Sequence, residues 1–212
     1  MDDVNESQEE LLRQHKALRR LTKLGSWTIA PLDADYHFAI KQWRLDKQNN
    51  QFWSRTLFRC LCANIEARLY MFRREAIEMA AVSKEAFSKE ETEILTEVRT
   101  VLVNGVATTR PKWLPIRDAF KESFRLFAKA VGLAFEVDSG TEGFAALCET
   151  FEVRHRLMHP KNVFDVEVRE DHIEKAQKAI TWFNRQYADL IDQSKEHVSK
   201  RIPHRLHSRP TT

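Results

Sequence analysis

Apolar residues recur along this chain mostly at helical spacing, and polar caps and glycines punctuate them. Leu11, Leu12, Leu18 and Leu21 follow Ser7-x-x-Glu10, which has the form of a capping box, and Gly25 offers a left-handed stop. Between Trp27 and Asn50 the pattern breaks, because Pro31, three aspartates and scattered Trp27, Tyr36, Phe38 and Trp43 give no clean period. That stretch is predicted as a loop with a short helix packed over the core. A long helix is predicted from Gln51 to Val82, with Phe58, Leu61, Ile65, Leu69, Phe72 and Ala76 on one stripe and Arg68, Arg73, Arg74 and Glu78 at polar positions.

Ser88-x-x-Glu91 opens the next predicted helix, whose buried face reads Ile94, Leu95, Val98, Leu102 and Val103 as far as Gly105. The run Arg110-Pro-Lys-Trp-Leu-Pro115 is a breaker. Ile116, Phe120, Phe124, Phe127 and Val131 then form another amphipathic helix that ends at Gly132. Ser139-x-x-Glu142 is the expected cap of a helix carrying Phe144, Leu147, Cys148 and Phe151, a stripe that spacing extends through His155 and Met158. Pro160 pushes His159 out of the α region and should end that helix. Phe164, Val166 and Val168 alternate with Asp165 and Glu167, which predicts an extended connection. A last helix starts near Glu170, with Ile173, Ala176, Ile180, Phe183, Tyr187, Leu190 and Ile191 facing the core.

Composition agrees with the periodicity. The chain has 212 residues, 42% of them hydrophobic, and only five Gly and six Pro, which favours an all-α protein over a turn-rich sandwich or barrel. The expected organisation is an N-terminal helix and irregular packing segment over 1–50, a helical bundle over 51–194, and a basic, flexible tail over 195–212. Cys60, Cys62 and Cys148 form no even-numbered framework and read as reduced thiols. No signal segment or membrane span is apparent, so the expected location is cytoplasmic, with no membrane partner.

Net charge is +3 and the isoelectric point about 8.8, too mild to announce a nucleic-acid-binding protein. Much of the excess lies in the tail, where Lys200, Arg201, Arg205 and Arg209 stand against Glu196. Arg201 and His207 there match a loose Arg-to-His spacing, but among prolines and without a helical stripe they are assigned no role.

Candidate chemistry concentrates at Arg154-His155-Arg156-Leu-Met-His159-Pro160-Lys161, where an arginine precedes a histidine by five positions on a predicted amphipathic helix. Metal readings fare poorly. Glu152-x-x-His155 resembles half a di-iron site but has no second Glu-x-x-His, and His155-x-x-x-His159 carries Arg156 where a metalloprotease would carry glutamate. No glycine-rich phosphate loop, serine nucleophile elbow or zinc-knuckle spacing occurs, so neither metal nor cofactor is expected.

Arg154-His155-x-x-x-His159 on a penultimate helix, followed by Pro-Lys, a short connection and a final helix with Trp182-Phe183, resembles the HEPN superfamily (higher eukaryotes and prokaryotes nucleotide-binding) over about Phe144 to Tyr187. The resemblance implies an up-and-down helical bundle with an N-terminal extension, and a homodimer that brings two motifs into one cleft. It also implies a metal-independent endoribonuclease, a toxin or defence factor, acting on RNA and accompanied by an antitoxin or other protein partner. On that reading His159 is the general base or acid at the ribose 2′-hydroxyl, Arg154 braces the pentavalent phosphate, and His155 orients the pair. Lys161 and Arg156 hold flanking phosphates. The alternative kept open is a non-catalytic HEPN-like dimer that binds a protein or nucleotide.

Overall fold

The computed structural model describes residues 11–20, 29–80 and 87–201, and these form an α-helical bundle with one small hairpin. Residues 11–20 are helical (α1), followed by α2 (Ala30–Leu45), α3 (Asn50–Ala80) and α4 (Lys89–Thr96). Strands β1 (Val98–Val103) and β2 (Val106–Pro111) come next, then α5 (Ile116–Val131), α6 (Glu142–Met158), a 3-10 turn (Val163–Val166) and α7 (Glu170–Arg201). At about 1.5 Å per residue, α3 and α7 are each some 45–50 Å long and frame the bundle.

The core is aromatic where α3, α5, α6 and α7 meet. Phe72 of α3 stacks on Phe127 at 4.7 Å and on Tyr187 at 4.8 Å. Phe120 of α5 stacks on Phe124 at 4.5 Å and reaches Trp182 at 5.3 Å and Phe183 at 5.7 Å, both on α7. It also meets Phe144 of α6 at 6.1 Å. Such offset and edge-on contacts add to what burial of the rings alone contributes. Where α6 passes α7 the packing depends on Gly143, since a methyl group there would overlap the Trp182 ring.

The predicted stripe of α3 is buried along its whole length, and the predicted helices over α5 and α7 form with the expected faces inward. Gly132 caps α5 in the left-handed conformation at φ 79°. Ser88 and Glu91 make the predicted capping box reciprocally. Ser7, Glu10 and Gly25, the proposed limits of the first helix, lie outside the described residues.

Five local expectations are corrected. Residues 30–45 form a helix of 16 residues rather than a loop with a short helix; Pro31 sits in its first turn, where a missing N–H and fixed φ are tolerated. Tyr36 and Ala39 bury against α3, and Asp33 accepts from Asn64 Nδ2 at 2.6 Å and from Arg68 at 3.0 Å. The helix expected as far as Gly105 stops at Thr96 and gives way to the hairpin. Asn104 and Gly105 both take positive φ, 52° and 78°, as a two-residue hairpin turn requires, and Val98, Thr100, Val101 and Val103 suit a strand better than a helix. Thr141, not Ser139, is the N-cap residue of α6. Asn162 and Asp165 close a capping box around a 3-10 turn where an extended link was expected. Finally, α7 continues to Arg201 and takes in the start of the expected flexible tail; residues 202–212 lie outside the described set.

Candidate functional site

The C-terminal half of α6 presents Arg154, His155, Arg156 and His159 to one open groove of about 1390 Å³. Glu66, Tyr70 and Arg73 of α3, Glu97 and Trp113 at the root of the hairpin, and the first turn of α5 complete its walls. Four of the five candidate side chains therefore share a cavity. Lys161 does not line it; it lies past the helix end, where its backbone N–H donates to Asp165 Oδ2 at 2.8 Å.

The helix register explains the arrangement. Phe151, His155 and His159 are four residues apart and fall in one column. At Phe151 that column is buried, but at residue 155 it opens onto the groove, so the imidazole expected in the core is exposed. Met158, also expected inside, is exposed. Burial passes instead to Val153 and Leu157 on the adjoining face. His159 is the helix C-cap, with φ −133° and its N–H donating to His155 O at 3.0 Å, as expected beside Pro160. The two imidazole rings lie 5.0 Å apart between centroids and are tilted by 52°.

Arg154 donates from a terminal guanidinium nitrogen to Glu66 Oε2 at 3.4 Å, a long contact between two side chains that are each a third or more exposed. Burial raises the Glu66 carboxyl above the ordinary glutamate range; the Arg154 charge opposes that rise and Glu97 adds to it. Cys62, one turn below, is buried, and its thiol is pushed far up by desolvation and by Glu66, against Arg154. It is a packing residue rather than a nucleophile.

Arg73 forms the floor. Its guanidinium donates to Ser123 Oγ at 3.0 Å and to Glu97 Oε1 at 2.7 Å, while its Nε has no partner. Burial lowers its affinity for a proton and Glu97 opposes this. Glu97 holds the left-handed conformation at φ 56°, which ends α4 and turns the chain into β1.

Sequence reasoning missed Glu66, Glu97 and Trp113. Glu66 and Arg154 are 88 positions apart and meet only through the packing of α3 on α6. Trp113 falls in the run that predicts only a breaker, but a tryptophan between prolines has few ways to be buried, and it is 78% exposed. Among the described residues no group of three or more His, Cys, Asp or Glu is placed to hold an ion. Within the same residues no helix is long and apolar enough to cross a membrane. In comparisons with known proteins, no family model, no curated protein and no solved structure matches this chain.

Proposed function

We propose that the groove is the active site of a metal-independent endoribonuclease of HEPN type, of the toxin or defence class and working as a homodimer. One observation carries this reading. Arg154, His155 and His159 project from α6 into a single solvent-reachable groove, while the packing of that helix is left to other residues. The reaction needs a base for the ribose 2′-hydroxyl, an acid for the leaving 5′-oxygen and a fixed positive charge at the phosphate. Imidazole titrates close enough to neutrality to fill either of the first two roles, and guanidinium suits the third.

In the proposed step, His159 takes the 2′-hydroxyl proton as the 2′-oxygen forms a bond to phosphorus. The bond from phosphorus to the 5′-oxygen breaks and His155 protonates that oxygen, leaving a 2′,3′-cyclic phosphate and a 5′-hydroxyl. Arg154 leaves its long contact with Glu66 to brace the phosphoryl oxygens, and Arg156 holds a flanking phosphate. Lys161 is outside the groove and has no part in this step.

Purified protein incubated with total RNA in EDTA tests the proposal. Fragments ending in 2′,3′-cyclic phosphate are expected from wild type, and a loss of at least about 100-fold from His159→Ala with unchanged thermal unfolding. A second reading takes the Arg154–Glu66 contact as a structural bridge and the chain as a non-catalytic helical dimer that binds protein or nucleotide. RNA left intact by wild type across varied substrates would select it.

A further inference from the structure

The hairpin stands apart from the bundle. Both faces of its two strands are open to solvent except at Val101, and its tip carries Leu102, 77% exposed, and Val106. From Val98 to Arg117 the chain carries Arg99, Arg110, Lys112 and Arg117 without one acidic residue. Lys112 is engaged with Glu93 at 3.2 Å, and Arg117 lies over the Phe144 ring at 6.0 Å. Arg99 and Arg110 are left over, with no ion-pair partner among the described residues. They are also directly opposed across the two strands. Like charges in that position destabilise a hairpin, so the pair is a cost that packing does not explain. At the root, Trp113 exposes its indole into the wall of the groove that holds Arg154 and His159.

We propose that the β1–β2 arm and Trp113 form a track for single-stranded RNA leading into the groove, with Arg99 and Arg110 holding phosphates and Trp113 stacking on an unpaired base. The proposal rests on the reading of the groove as an RNA site. Charge selects a polyanion, since opposed arginines with no ion-pair partner among the described residues repel a second copy of the same arm. A symmetric joining of two hairpins would gather four arginines on one small sheet. The open indole selects the single strand, because a base inside a duplex has no free face to stack. Val103 and Val106, paired on the same strand face as Arg99 and Arg110, extend the exposed apolar surface along the arm for further bases or sugars.

The full chain is titrated with a fluorescently labelled 2′-O-methyl RNA of about 12 nucleotides, a length within the range such tracks occupy. Because that probe lacks the attacking hydroxyl, binding is read apart from cleavage. Trp113→Ala should bind roughly ten-fold more weakly or worse, with Trp113→Phe retaining most of the affinity. The double variant R99S/R110S should flatten the dependence of log affinity on log salt by about one to one and a half. All three residues are exposed, so none of the variants should unfold at a lower temperature, and R99S/R110S, which removes the opposed charges, should unfold at the same temperature or a slightly higher one. A duplex of the same sequence should be insensitive to Trp113→Ala.

Failure of wild type to bind the probe would overturn the proposal, as would variants that bind like wild type while wild type cleaves RNA. So would R99S/R110S binding normally but changing its mass in light scattering, which would make the arm a self-association surface. Binding through the arm with no RNA ever cleaved would remove the nuclease reading and leave this one standing.

Discussion

From Glu142 to Phe151, α6 packs on α7 and α3, with Phe144 reaching α5, and Phe144, Leu147 and Phe151 are buried there; from Arg154 to His159 the same side of the helix carries titratable side chains in the open. The periodicity does not change between the two halves. What changes is the neighbour, because α5 begins at Ile116 beside the groove and a hairpin root, rather than another helix, stands beyond it. A helical stripe therefore predicts which residues share a face, and only the surrounding topology decides whether that face is filled by protein or left for a ligand.

The largest effect should come from the buried half. Phe120→Ala removes the ring that joins α5 to Phe144, Trp182 and Phe183, and should lower stability by about 3–5 kcal/mol in denaturant unfolding. Gly143→Ala should come next. Inside an exposed helix that change would stabilise by up to about 1 kcal/mol, but here the methyl must displace the Trp182 ring near its backbone, and a loss of about 1–3 kcal/mol is expected. A variant more stable than wild type would mean that the two helices can separate at that point.

The open half should respond in the opposite way. Glu66 carries a raised carboxyl affinity for protons, so the folded state pays for its charge at neutral pH, and that cost disappears as pH falls through the raised value toward roughly 4.3. Glu66→Gln should therefore be at least as stable as wild type at pH 7, with the two melting curves converging below about pH 4. A clear destabilisation at pH 7 would show that the Arg154–Glu66 pair is structural, and would weaken the contrast between the two halves.

Much of the fold could be read from the chain because long stripes and caps are local. The buried face of α3, the Ser88–Glu91 box and the Gly132 stop each depend on residues within a few turns. The hairpin is hidden because Val98, Leu102 and Val103 also fit a helical period, with Gly105 as its stop, whereas Asn104-Gly105 together are the signal of a two-residue hairpin turn. Pro31 hid α2 in a similar way, as a residue that breaks a helix interior but suits its first turn. At the site, Arg154, His155, Arg156 and His159 were legible as one helical motif. Their exposure, and the arrival of Glu66, Arg73 and Trp113, were not, since these follow from which helices cross and where.

Arg73 and Glu97 bind the bundle to the base of the arm through one contact. The glutamate that reverses the chain from helix to strand is also the one acid among the described residues that pairs with the Arg73 guanidinium, so swinging the arm aside would strand a cation inside the protein. The root of the hairpin is thus tied to the bundle by charge, at the edge of the groove that Arg154 and His159 line.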